Sequence, residues 1–379
     1  MAVAIVAGAV ANKPRNGGAA WTRLGWVLGL RALGFEAHLV ERIDPAACVD
    51  EEGRPSLLET SVNRAHFERV SDEFGLAGRS WLVPTTGRLA DLPVPFGEAE
   101  LLVNITGHLA LADLPARPRR TVYVDLDPGY TQVWMDQGLL RVDAHDRYLT
   151  VGQRVGTSGW DLPTGGVEWR AVLPPVPLDH WPPADDPGPG RFTTVGAWRG
   201  PYGSLEHEGH TYGLKVHEFR KVMELPRRSP YGFEIALEIG EGDEADRRAL
   251  ESHGWQLVDP VAVAGDPFAF RTYVQGSGAE FSAAQGVYVE ARTGWFSDRT
   301  ARYLASGRPA VVQDTGLPAE LTDGTGVLPY RDIEDALRAT SDAVDDHTRH
   351  GAEARAFAER RLDARRVLAE VVESVDASP

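Results

Sequence analysis

The hydrophobic positions of this chain fall into two rhythms. Short apolar runs at Val3 to Val6, Gly34 to Val40, Leu101 to Asn104, Thr121 to Asp125, Arg191 to Val195, Phe233 to Ile239, Glu280 to Ala284 and Ala310 to Val312 predict buried strands of parallel sheets. Between them, apolar residues at helical spacing predict helices from about Trp21 to Leu33, over Leu214 to Lys221 and over Asp266 to Tyr273. A further helix is expected from Ser297 to the stop at Ser306-Gly307-Arg308-Pro309. Residues Ile333 to Val372, rich in Ala, Arg, Glu and Leu, predict long terminal helices with charged outer faces. Strand and helix alternate throughout, so the fold class is α/β with doubly wound sheets.

One break organises that alternation. Seven prolines between Pro174 and Pro189 exclude a helix or a central strand and predict an extended linker over residues 174–190. It separates a domain at 1–173 from one at 191–345; residues 346–379 are left for terminal helices, with Asp376 to Pro379 loose. The two halves open alike. Val3–Val6 leads to the loop Asn16-Gly17-Gly18, and Arg191–Val195 leads to Gly196-Ala-Trp-Arg-Gly-Pro-Tyr-Gly203. A glycine-bearing loop after a first strand lets backbone approach a ligand, so Asn16, Gly17 and Gly18 are expected against substrate, and Gly196 and Arg199 near a nucleotide. The first loop lacks the Gly-x-Gly-x-x-Gly spacing, which argues against NAD or FAD.

Composition narrows the classes. The 379 residues, 42% of them hydrophobic, can fill two cores at a typical ~150 residues per domain. Lys plus Arg (39) against Asp plus Glu (55) leaves −16, which disfavours nucleic acid and acidic membranes and makes any anionic ligand depend on local basic residues. The apolar start has no basic n-region, and no run approaches a membrane span. A single Cys48 excludes an internal disulfide and a cysteine-rich metal site, and fits a reducing, cytoplasmic setting. No His, Asp or Glu spacing supports a metal; His145 in Asp143-Ala-His-Asp146 lies too far along the chain to assume convergence with other candidates.

The most informative stretch runs from Arg292 to Gly316. Ser297 can accept from the first helical turn, Asp298 favours the positive helix end, and Gly294 lets the preceding loop bring amides close to a diphosphate. Arg299 adds a forked donor suited to phosphate oxygens, offsetting Asp298. Asp314, Thr315 and Gly316 follow the strand Ala310–Val312, where ligands of open α/β sheets bind. Trp295 and Trp255 can stack on a base or sugar, or pack in the core. This segment resembles the C-terminal donor-binding motif of nucleotide-sugar-dependent glycosyltransferases with the GT-B fold, in the order helix, Leu-Ala-Ser-Gly-Arg-Pro, apolar strand, Asp-Thr-Gly. The chain from Asn16-Gly17-Gly18 to Val289-Glu290 is also similar to a bacterial group of such enzymes. It departs from better-known patterns: the paired glutamates of many retaining members fall on Gly294 and Arg302, and the histidine of the plant-type motif on Arg292.

The resemblance implies two Rossmann-like domains facing across a cleft, with a final helix crossing back to the first. It implies donor phosphates met by Lys215 or Arg220, with Arg199, Gly196 and the Gly294-Trp295-Phe296-Ser297-Asp298-Arg299 segment, and sugar held by Asp314 to Gly316. No cofactor and no metal are implied, the nucleotide-diphosphate sugar being a co-substrate in bacterial glycan or natural-product biosynthesis. The partners expected are that donor and a small-molecule acceptor, without nucleic acid or integral membrane association; a homodimer is open. Inverting transfer needs a base on the acceptor hydroxyl, and the strand ends Asn104-Ile-Thr-Gly-His108 and Asp125-Leu-Asp127 offer His108, Asp125 and Asp127. Two other readings stay open: an epimerase or hydrolase on the same fold, and a non-catalytic nucleotide-sugar-binding or partner protein.

Overall fold

Asn16 opens the helix on which the molecule is assembled: its side chain accepts from the Ala19 amide at 2.9 Å, so α1 spans Gly17–Ala32 and begins earlier than its apolar pattern predicts. The computed structural model describes residues 1–185 and 188–376. Its first sheet holds β1 (Val3–Ala7), β2 (Glu36–Ile43), β3 (Ser80–Pro84), β4 (Ala99–Ile105), β5 (Thr121–Asp125), β6 (Arg147–Thr150) and β7 (Trp169–Ala171), in the order β3-β2-β1-β4-β5-β6-β7. Its second sheet begins with β8 (Arg191–Ala197) and, beyond a hairpin of β9 (Leu205–His207) and β10 (His210–Tyr212), adds β11 (Gly232–Glu238), β12 (Gln256–Val258), β13 (Ala279–Ser282), β14 (Ala310–Gln313) and β15 (Val327–Tyr330). That sheet reads β12-β11-β8-β13-β14-β15, and the pairings within both sheets are parallel.

Each sheet therefore has the doubly wound order, with a topological switch point between β1 and β4 in the first and between β8 and β13 in the second. The covering helices are α2 (Val62–Glu73) and α3 (Tyr130–Asp136), then α4 (Lys215–Arg220), α5 (Leu225–Arg228), α6 (Glu244–Ser252), α7 (Pro260–Ala264), α8 (Pro267–Gln275), α9 (Gly286–Glu290) and α10 (Asp298–Ala305). The terminal set is α11 (Ile333–Asp345), α12 (His347–Phe357) and α13 (Ala364–Asp376), the last two joined by a π-turn at Ala358–Leu362. Within the expected linker, Val176 pairs with Asp363 and Trp181 is fully buried, so this segment lies docked on the terminal helices. Residues 186 and 187 of that linker, and 377–379 of the tail expected to be loose, lie outside the described residues.

The largest apolar core runs through both halves. It includes Trp21, Leu24 and Val27 of α1, Phe74 after α2, Trp181, Phe270 of α8, Tyr303 of α10, Phe357 of α12 and Leu368 of α13. Glycines on α1 make that contact close. A β-carbon at Gly17 would stand 2.0 Å from the Asp266 carbonyl, one at Gly25 2.3 Å from the Pro175 carbonyl, and one at Gly29 2.5 Å from Leu368 Cδ1. At Gly18 it would stand 3.2 Å from the Phe270 ring. Asn16, Gly17 and Gly18 are thus spent on capping and on packing against α8, and the expectation that they face an acceptor is corrected: their approach is to backbone and an aromatic ring of the second half.

Gly25→Ala tests this contact. Alanine would gain up to ~1 kcal/mol of helix propensity, but overpacking against a backbone oxygen costs about 1–3 kcal/mol. Because backbone cannot rotate away, the net expected outcome is a lower melting temperature in a thermal denaturation scan, whereas Gly138→Ala, where nothing crowds the position, lowers it only through its positive φ.

Candidate active site

β5 ends on Asp125, which is fully buried and spends its carboxylate inward. Oδ1 accepts from the Thr131 hydroxyl (2.6 Å) and the Asp127 amide (2.9 Å); Oδ2 accepts from the Thr150 hydroxyl (2.7 Å) and the Gln132 amide (3.0 Å). A carboxylate so enclosed orients the turn and does not reach an acceptor, so Asp125 as base is corrected to a positioning role. Asp127 faces the second half, where its Oδ1 accepts from the Tyr288 hydroxyl at 3.0 Å and its Oδ2 from the Tyr202 hydroxyl at 3.2 Å. Burial, and next the Asp125 charge, raise the Asp127 carboxyl to about 6, while the two tyrosines and Arg23 pull it down.

The second half presents cations to the same place. Lys215 opens α4, its amide fixed by Gln285 Oε1 at 2.7 Å. Burial, then the Arg299 charge, lower its ammonium to about 8, and Asp127 opposes them. Arg299, in the first turn of α10, donates from Nε to Glu280 Oε1 (2.7 Å) and from Nη1 to the Val195 carbonyl (2.8 Å), so it bridges β8 and β13 at the second switch point. Gly196 leaves the room for both: a β-carbon there would lie 3.6 Å from Lys215 Nζ and 3.9 Å from Arg299 Nη1. Trp295 stacks on Tyr288, ring centres 4.8 Å apart, and so holds the tyrosine that reaches Asp127. Nearby, Ser282, Ser297, Thr300, Gln313 and Thr315 line a cavity of about 10 Å³, room for roughly one water.

Other expected donor contacts are occupied. Ser297 caps α10 by accepting from the Arg299 amide (3.2 Å), and Asp298 accepts from the Thr22 hydroxyl of α1 (2.6 Å). The loop before them pairs with the first half: Gly152 bridges Trp295, the Phe296 amide donates to Val151, and the Gln153 amide donates to Gly294. The start of α10 is thereby closed against the first half, and its cationic reach passes to the Arg299 side chain. Half-exposed Arg199 is paired with buried Asp243 and Arg220 with Asp246, so neither is the free phosphate donor expected. Asp314 accepts from the Gly316 amide (2.8 Å) and pairs with Arg292 and Arg331, while buried Thr315 donates to the Trp295 carbonyl (2.9 Å). Trp255 is core, packed on Phe219, Phe233 and Phe281. Among the described residues no group of three or more His, Cys, Asp and Glu could hold a metal ion.

His108 is also corrected. Its Nε2 accepts from the Arg42 amide at 3.0 Å, and burial, then the Arg23 and Arg42 charges, lower it to about 4, so its basic nitrogen is used and it stays neutral. Sequence reasoning missed four participants. Tyr202 lay inside the loop singled out for its glycines, and Tyr288 lay just before the motif, in a stretch that offered no signal of its own. Glu41 of β2 is gripped by the amides of Val10 (2.6 Å), Ala11 (2.6 Å) and Asn12 (2.7 Å) in the loop after β1; burial nevertheless pushes its carboxyl up to about 7. Arg23 sits in a run of α1 in which Ala20 to Val27 are all buried, and a charge in such a run was the available signal.

No protein-family model matches the sequence, and no curated protein matches it. Solved structures match over the whole chain. Anabaena Alr3699/HepE in complex with UDP and glucose superposes with a TM-score of 0.62 at 11% identity, covering 100% of both chains. An alpha-glucosyltransferase in complex with UDP gives 0.61 at 11%, covering 99% of this chain and 100% of that one. AviGT4, a glycosyltransferase involved in avilamycin A biosynthesis, gives 0.56 at 15%, covering 99% and 97%. The chain has the fold of these glycosyltransferases, two Rossmann-like domains of GT-B type. No helix among the described residues is long and apolar enough to cross a membrane.

The Asp127 environment has a sign that can be measured. Its folded pKa, about 6, lies above the ordinary 3.8, so the folded protein holds a proton that the unfolded chain has released between those values. That contribution to stability is complete below pH ~4 and is lost as pH rises through about 6. Asp127→Asn should remove it, and melting temperature recorded from pH 4 to 7 should fall less steeply for the variant than for the parent.

Proposed function

We propose that this chain is a metal-independent glycosyltransferase that moves a sugar from a nucleotide-diphosphate sugar to a hydroxyl or similar nucleophile of a small-molecule acceptor, between its two halves. The observation that carries this reading is the juxtaposition of Asp127, from the first half, with Lys215 and Arg299 at the switch point of the second. UDP and glucose in the HepE structure and UDP in the alpha-glucosyltransferase structure support a nucleotide sugar as donor. Residues 191–345 would bind that donor and 1–173 the acceptor.

The chemistry follows from the charges. Breaking the bond between sugar and diphosphate leaves negative charge on the leaving phosphate, and Lys215 and Arg299 stabilise it, a desolvated ammonium and guanidinium being stronger there than in water. Asp127, ionised above pH ~6, takes the proton of the attacking hydroxyl. Tyr202 and Tyr288 hold its oxygens until an acceptor replaces one of them.

A panel of nucleoside diphosphates and nucleotide sugars in thermal-shift assays tests the donor assignment. A ligand at a hundred times its Kd should stabilise by about 2.7 kcal/mol, selectively for one base, and Lys215→Ala should lose the shift. No shift with any nucleotide would remove the reading. With a working donor, Asp127→Asn should lower kcat by about 10²–10⁴ with donor affinity kept, and the parent rate should fall below pH ~6. Turnover unchanged in the variant would end its assignment as base.

A further inference from the structure

Arg23 is a buried charge that little in the fold satisfies. It is 9% exposed on α1, yet among the described residues its guanidinium makes one hydrogen bond, from Nη1 to the Ala19 carbonyl at 3.2 Å, and its Nε has no partner. Among the described residues it forms no ion pair. The carboxylates that act on it from nearby are Asp298, Glu41 and Asp127, and each is held by other donors: Asp298 by Thr22, Glu41 by three backbone amides, Asp127 by two tyrosines. Burial lowers the Arg23 guanidinium from its ordinary value, and these carboxylates oppose that without using its donors. A buried cation left in that state is costly unless something completes it.

Its position says what would complete it. A β-carbon at Gly8, just past β1, would stand 3.0 Å from Arg23 Cγ, 3.5 Å from its Nε and 3.5 Å from Ile105 Cβ at the end of β4. The guanidinium therefore lies at the switch point of the first sheet, as Lys215 and Arg299 lie at that of the second, and Asp127 stands in the field of both Arg23 and Lys215. Gly8 makes the space; any side chain there would displace Arg23.

We propose that Arg23 is an oxyanion-binding residue supplied by the first half, taking a phosphate or carboxylate oxygen at the first switch point. A planar fork suits such an oxygen pair. Two sources fit this chemistry: the leaving diphosphate of the donor, or an anionic substituent on the acceptor. The proposal rests on the glycosyltransferase reading for the identity of the anion, and on the geometry alone for its charge.

The test compares the full-length parent, Arg23→Gln and Arg23→Lys by melting temperature without ligand, by calorimetric titration with UDP, and by titration with inorganic phosphate in the presence of saturating UDP. Arg23→Gln should melt no lower than the parent, since it removes an unpaired buried charge, and should lose at least tenfold in one of the two affinities. Loss for UDP assigns the leaving diphosphate; loss for phosphate alone assigns an anionic acceptor. Arg23→Lys keeps charge without the fork and should fall between parent and glutamine variant, which keeps the comparison available if the glutamine variant does not fold. Affinities equal to the parent in both variants, or a lower melting temperature with affinities kept, would overturn the proposal. A parent that binds phosphate through Arg23 but no nucleotide would sink the glycosyltransferase reading and leave this one standing.

Discussion

The closeness of α1 to the second half is the constraint on which the rest of the structure depends. At Gly17, Gly25 and Gly29 the neighbours are a carbonyl of the Asp266 turn, a carbonyl of the linker and a leucine of α13, all nearer than any side chain would permit. Trp21 exploits the approach by donating its indole N–H to the Pro267 carbonyl at 2.7 Å, and Arg302 of α10 returns a bond to the Trp21 carbonyl at 2.9 Å. Aromatic contacts of Trp21 with Phe74 and Trp181, and of Phe74 with Phe268, fill the remainder. Because α1 also follows β1, fixing it fixes the first switch point relative to the second. The placement of Asp127 near Lys215 follows from the packing of this helix.

Electrostatics then acts on groups that packing has already positioned. A chain of net charge −16 has little cation to spend, and most arginines at its surface are matched to a nearby carboxylate. Arg299 is the exception in kind: Glu280 fixes two strands' worth of geometry through it, and its charge survives burial because that carboxylate holds it up against desolvation. Asp125 does the corresponding work in the first half, giving up its own reactivity to aim Asp127.

The central strands were readable because a strand buried on both faces must be apolar throughout; β5 spans the predicted Thr121–Asp125, and β8, β11 and β14 lie within two residues of their predictions. Short edge strands such as β7 and β12 carry no such run, being half covered at most. α1 was misread at its start because glycine lowers helix propensity, while the reason for Gly17 and Gly18 is a tertiary approach that one sequence does not display. The Ser297 cap was legible since capping is local; that Gly152 would pair with Trp295 and close that helix start was not. Positive residues were found, but their partners were not: Asp243 and Asp246 lie far along the chain from Arg199 and Arg220 and neutralise both. Arg23 escaped because a single charge in an apolar helix is absorbed into the helix pattern.

Two halves with like strand orders pose a problem of degeneracy, since an anion could settle at the loop after the first strand of either. Glu41 breaks the tie. By lodging its own carboxyl group on the amides of Val10, Ala11 and Asn12, the first half occupies from within the donors that an outside anion would need at that loop.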